Sequence, residues 1–182
     1  MKIYIYLLVV LCFLSPYSYS GNITGNCISY SKEGRNVTFH LNDTSAVQLQ
    51  LCSPSVVRVW FSPDGKLQRG NPSFAVINEE LEDVGTVQVD EQNACYEIFT
   101  PKLRIRVNKA PFSLQIFDKY QKLLFSDYAD KGHVSEGARK VEYKTLRRDE
   151  HFFGLGEKTG KLDRRGESYK MWNSDKPCYS IV

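Results

Sequence analysis

The chain has 182 residues, 24 of them basic and 21 acidic, for a net charge of +3, and 42% of it is hydrophobic. That length and apolar fraction suit one globular domain with a sizeable core. The near-neutral balance excludes a nucleic-acid binder that works through a basic stripe, because the densest basic stretch, Lys140 to Arg148, is interrupted by Glu142 and followed by Asp149 and Glu150.

The chain opens with Lys2, an apolar run from Ile3 to Leu14, and Ser18-Tyr19-Ser20 ahead of Gly21, a small-x-small cleavage site. Residues 1–20 therefore read as a signal peptide, and the mature protein is expected to be exported: secreted, periplasmic or held at the cell surface. The apolar run is shorter than the ~20 residues of a spanning helix, so no transmembrane segment is expected. Cleavage leaves 23 basic against 21 acidic residues, a net of +2, and four cysteines, Cys27, Cys52, Cys95 and Cys178. An exported chain permits disulfides, and four cysteines allow three pairings; two bridges and scattered buried thiols both fit. With no C-x-x-C and no paired histidines, no metal site and no cofactor are expected.

From Gly21 onward, short apolar or alternating runs recur between turn residues, and no stretch keeps a helical period. The fold class is all-β. Strands are expected at 28–31, 36–41, 46–52, 56–61, 85–89, 95–100, 103–107, 113–117, 123–125, 141–144 and 168–172. In the run from Val56 to Phe61, Val57, Val59 and Phe61 make one wholly apolar face, while Arg58 charges the other. Pro63-Asp64-Gly65 ends that strand in a turn. Asp118 to Gln121 reads as the loop of a hairpin, and Asn71 to Asp83 as a surface connection. Many short strands with frequent turns indicate a sandwich or barrel, since an antiparallel sheet must bury its apolar face against a second sheet. No linker divides residues 21–182.

The densest cluster of chemistry-bearing residues is the segment 152–182. Its Gly154 to Gly160 stretch is not a phosphate loop: a dinucleotide fingerprint from Gly154 needs glycine where Thr159 stands, and a P-loop ending at Gly160-Lys161 needs glycine at Leu155. His40, His133 and His151 are the only histidines, and without a G-x-S-x-G elbow a nucleophilic triad is not supported. Glu157, Asp163, Glu167 and Asp175 are weighed because glycoside hydrolysis uses two carboxyl groups. Charges in such a segment are ordinarily solvated or paired, here with Lys158, Arg164 and Arg165. Asp175 stands apart, because Trp172 and Asn173 set an aromatic surface and an amide beside its carboxylate, the makings of a sugar subsite.

Phe153-Gly154-Leu155-Gly156-Glu157-Lys158-Thr159-Gly160, Leu162-Asp163-Arg164-Arg165-Gly166 and Tyr169-Lys170-Met171-Trp172-Asn173-Ser174-Asp175 together resemble the end of the N-terminal domain of glycoside hydrolase family 31, most closely its α-glucosidase branch. The resemblance implies a β-sandwich of the galactose-mutarotase-like kind, which in the family packs on a catalytic (β/α)8 barrel. It implies that Asp175 contacts bound sugar, an α-linked glucose-type saccharide, with Trp172 and Asn173 shaping the loop. The nucleophile and acid of the family lie on the barrel, which these 182 residues do not supply. No catalytic residue is therefore expected here, and the chain is expected to be inactive alone. The rival readings are a stand-alone glycan-binding sandwich without catalysis and a purely structural exported sandwich.

Overall fold

The structure, a computed structural model, describes residues 22–67, 82–129, 131–136, 139–156 and 158–171. The expected signal at 1–20 lies outside them, as does most of the expected connection at 71–83. The chain divides into two units, 1–145 and 146–182, of which the first holds every strand. There is no helix among the described residues, as the sequence pattern predicts.

In chain order the strands are β1 (Asn22–Ile23), β2 (Cys27–Glu33), β3 (Asn36–Leu41), β4 (Ala46–Ser53), β5 (Val56–Ser62), β6 (Val89–Glu91), β7 (Cys95–Phe99), β8 (Leu103–Lys109), β9 (Phe112–Asp118), β10 (Leu123–Ser126), β11 (His133–Glu136) and β12 (Arg139–Glu142). Strands β2 to β5 form one antiparallel sheet in chain order, and β6 to β10 form a second, also in chain order. A small third sheet has the order β1-β11-β12.

Alternation makes the two large sheets a sandwich. Along β4, Val47, Leu49 and Leu51 point inward between the more exposed Gln48, Gln50 and Cys52; along β8, Leu103, Ile105 and Val107 do the same between Arg104 and Arg106. The inner faces meet through aromatic rings. Phe39 of β3 lies 5.4 Å from Tyr96 of β7 and 6.3 Å from Phe112 of β9, and Tyr30 of β2 sits edge-on to Tyr96 at 5.1 Å. Residues from both sheets thus share one core.

The outward charge of the five-stranded sheet is concentrated at Glu97, which is almost fully buried although it points away from that core. Arg104 grips its carboxylate with two bonds of 2.7 Å, Nε to Oε2 and Nη2 to Oε1, and Arg106 Nε donates to Oε1 at 2.9 Å. The Arg104 hydrogen bonds, reinforced by Arg106, hold the Glu97 carboxyl below the usual carboxylate range.

Three sequence expectations are corrected. The face of Val57, Val59 and Phe61 is only half covered, with Val59 still 36% exposed, because β5 is the edge of its sheet and has no outer neighbour to shield it. The strand expected at 85–89 is displaced to β6: Asp83 Oδ1 takes the Gly85 N–H at 2.8 Å and turns the chain, while Val84 and Val87 plug the core from that loop. The strand expected at 141–144 ends at Glu142, and Lys144 keeps only an isolated bridge to Asp127. Strands β1 and β11 were not expected at all. Of the two cysteine alternatives, the bridged one does not form among the described residues, where Cys27, Cys52 and Cys95 are free thiols. Burial pushes the Cys27 thiol up, which keeps it protonated and unreactive. Cys178 lies outside the described residues.

Candidate functional site

Asp175, Trp172 and Asn173, the residues with an expected sugar contact, lie outside the described residues, as do Glu157 and Ser174. What the structure describes is the segment that leads to them, within the second unit. No strand forms at 168–171, contrary to expectation, because Tyr169 is held by a side chain instead of a neighbouring strand.

That side chain is Arg164. Its Nη2 donates to Lys158 O at 2.8 Å, and its Nη1 to Thr159 O and to the Tyr169 hydroxyl, both at 3.1 Å. Its guanidinium also lies 5.2 Å from the centre of the Tyr169 ring. The planar fork of donors thus ties the end of the glycine-rich stretch to the residue three positions before Trp172. The backbone shares in this, since Arg164 N donates to Phe152 O at 2.8 Å.

A second tie runs through Asp163. Its Oδ2 lies 2.6 Å from His151 Nδ1, and its Oδ1 accepts from Arg165 N at 3.0 Å and Phe152 N at 3.4 Å. The His151 hydrogen bond, with the two backbone N–H groups, holds the Asp163 carboxyl below the usual range. Arg165 in turn donates to the carbonyls of Arg147, at 2.9 Å, and Glu150. Of the partners expected for the carboxylates of this segment, the Arg164 and Arg165 guanidiniums instead serve main-chain carbonyls and, for Arg164, the Tyr169 hydroxyl, while Asp163 pairs with His151. Glu167 has a loose pair with Lys161 at 3.8 Å.

The glycine-rich stretch bends through Gly154, Leu155 and Gly156, at φ of 91°, 69° and 71°, and Lys158 N then turns back onto Gly156 O at 2.8 Å. Gly160 is the tightest point. At φ 125° it has a backbone that side chains rarely allow, and an added Cβ would come 2.9 Å from Arg164 Nη1 and 3.1 Å from the Tyr169 hydroxyl. Gly160→Ala is therefore expected to cost the segment about 1–3 kcal/mol. Amide hydrogen exchange over 158–170 should rise roughly tenfold or more; unchanged exchange would show that the Arg164 tie is not under this constraint.

Chemically, the described side chains of this segment hold a loop in shape. Asp163 spends both oxygens on internal partners, and Glu167 pairs with Lys161. Among the described residues no three His, Cys, Asp or Glu side chains are placed to hold a metal ion, and no helix is long and apolar enough to cross a membrane. The Arg164–Tyr169 tie and the His151–Asp163 pair were missed in the sequence. Arg164 and Asp163 do fall in the Leu162 to Gly166 motif, which marked the place without the partners.

Residues 46–182 match the family described as the glycosyl hydrolase 31 N-terminal galactose mutarotase-like domain. Alpha-glucosidase 2 of Bacillus thermoamyloliquefaciens is 30% identical over 152 residues, which are 83% of this chain and 19% of that protein. A Flavobacterium johnsoniae GH31 dextranase, solved in complex with isomaltotriose and with glucose, is 59% identical with a TM-score of 0.81, over 88% of this chain and 20% of its own. The GH31 alpha-xylosidase of Xanthomonas citri, 21% identical with a TM-score of 0.60 over 75% of this chain and 16% of its own, shares the fold. The chain thus spans about a fifth of the length of the first two relatives. A sandwich of two antiparallel meanders, followed by the glycine-rich segment and matched over three-quarters of its length, belongs to glycoside hydrolase family 31 as the N-terminal galactose mutarotase-like domain.

Proposed function

We propose that this chain is the N-terminal, sugar-contacting part of an exported α-glucosidase-type glycoside hydrolase, and that it is inactive without a catalytic barrel. The observation that carries the reading is the 59% identity to a dextranase solved with isomaltotriose, together with the family match that runs through residue 182. The substrate class is an α-linked glucose saccharide. Asp175 accepts hydrogen bonds from sugar hydroxyls, Trp172 stacks on a ring face, and Asn173 supplies an amide beside them. Arg164 and Asp163 shape the segment from which these residues are presented. Export rests on the signal-like residues 1–20.

A barrel partner also suits the surface of the second unit. Phe153 and Leu162 are 61% and 81% exposed, and Leu155 and Met171 are exposed as well, an apolar display that a neighbouring domain would cover. The test is a fusion in which residues 21–182 replace the corresponding N-terminal part of the Flavobacterium johnsoniae dextranase. The isolated chain should leave isomaltotriose intact and the fusion should release glucose from it. Hydrolysis by the isolated chain, or a folded but inactive fusion, would overturn the proposal.

A further inference from the structure

His133 is the most deeply buried histidine among the described residues, 2% exposed, and nothing in the sugar-contacting role uses it. It sits where the three sheets of the first unit meet. Phe61 of β5 stacks on its ring, at 5.0 Å and 18° between planes. Its carbonyl accepts from both the N–H and the hydroxyl of Thr24, just after β1. Beneath it lies Asp127, whose carboxylate is fully buried and accepts from Leu114 N of β9 at 2.8 Å and from Lys144 Nζ at 2.7 Å.

The charged groups that face the imidazole are few. Asp127 Oδ2 is 3.8 Å from Nε2, Glu142 Oε1 of β12 is 3.4 Å from Nδ1, and Lys144 stands behind both carboxylates, 2.7 Å from Asp127 and 3.4 Å from Glu142. Phe61, on the side of β5, brings no charge. Neither ring nitrogen completes a hydrogen bond, in a site with almost no access to water. Such groups are few in folded proteins, and each calls for a physical reason. Here Lys144 already neutralises Asp127, so a proton on the ring is met chiefly by Glu142 at 3.4 Å, in a site that is otherwise shut off from water.

We propose that His133 is an acid-operated latch, whose protonation between Asp127 and Glu142 loosens the β1-β11-β12 sheet from the sandwich while the two large sheets stay folded. Burial, followed by the Lys144 charge, depresses the imidazole below its ordinary value despite the two carboxylates, which agrees with a neutral ring in the closed state. A depressed histidine makes the open, solvated form bind the proton first. Closure therefore weakens as pH falls through the ordinary histidine range, and the loss levels off below the folded value.

The test is amide hydrogen exchange on the whole 182-residue chain, corrected for intrinsic rates, at about pH 7.5 and about pH 5 on either side of the histidine range. Protection in β11 and β12 should fall roughly tenfold or more on acidification, and that of β3, β4 and β8 by less than about threefold. His133→Gln, which cannot titrate in this range, should flatten the response of β11 and β12. A uniform loss across all three sheets, or a pH response that survives in His133→Gln, overturns the latch. Should that variant not fold, the NMR titration of the wild-type His133 ring decides: a midpoint at or above about 6.5 overturns the proposal, and a lower midpoint that coincides with the loss of β11 protection upholds it.

Discussion

Asp175→Ala, made in the fusion of residues 21–182 with the dextranase barrel, should lower kcat/KM on isomaltotriose by about 10- to 100-fold. A hydrogen bond to a charged group is worth about 1.5–3 kcal/mol, and each 1.4 kcal/mol is a factor of about ten. On the proposed role, a sugar contact outside the reacting carboxyl pair, the loss should fall on KM at least as heavily as on kcat. Asp175→Asn keeps the shape and one acceptor, and should recover part of the activity. If Asp175 serves only the sugar, thermal unfolding of the fusion should stay within about 0.5 kcal/mol of the parent. An Asp175→Ala fusion with wild-type kinetics would remove Asp175 from the sugar site.

Phe39→Ala is expected to be the most damaging single change to the fold. The ring is fully buried and packs against Tyr30, Tyr96 and Phe112, and so touches both sheets of the sandwich at once. Truncating a buried Phe costs about 3–5 kcal/mol, the lost transfer energy plus the cavity left behind. Domains of this size are stable by only about 5–15 kcal/mol. The melting temperature should therefore drop by about 6–20 °C, at about 2–4 °C per kcal/mol, with a proportionate fall in denaturant midpoint. The control is Phe153→Ala, an equal loss of side chain from an exposed position in the second unit, which should shift stability by less than about 0.5 kcal/mol. Equal effects of the two changes would mean that the aromatic cluster is not the centre of the core.

How much of this was legible in the chain depends on how local the deciding interactions are. β3 falls at the expected residues, and β4, β7 to β10 within about two, because each is announced by period-two alternation and ended by a turn of its own. β11 was invisible: His133-Val134-Ser135-Glu136 has one aliphatic residue, and it is a strand because distant β1 and nearby β12 both pair with it. The segment at 85–89 misled for the opposite reason, since Val84 and Val87 look strand-like but bury from a loop that Asp83 turns. In the candidate site, the glycines, Asp163 and Arg164 could be picked out by motif. Their partners could not, because His151 reaches Asp163 across 12 residues and Arg164 chooses main-chain carbonyls over carboxylates. No spacing rule encodes either choice.

The pairing of β1 with β11 also sets an order of assembly. Both large sheets are built from consecutive strands, so each can zip as a series of hairpins while the chain is still emerging, at a small entropic cost per closure. Thr24 and His133, which join β1 to β11, lie 109 residues apart. Strand β1 therefore pairs only once β11, next to last among the described strands, is available. The small sheet, which closes over more intervening sequence than any pairing within the two meanders, is therefore expected to form after them and to open before them.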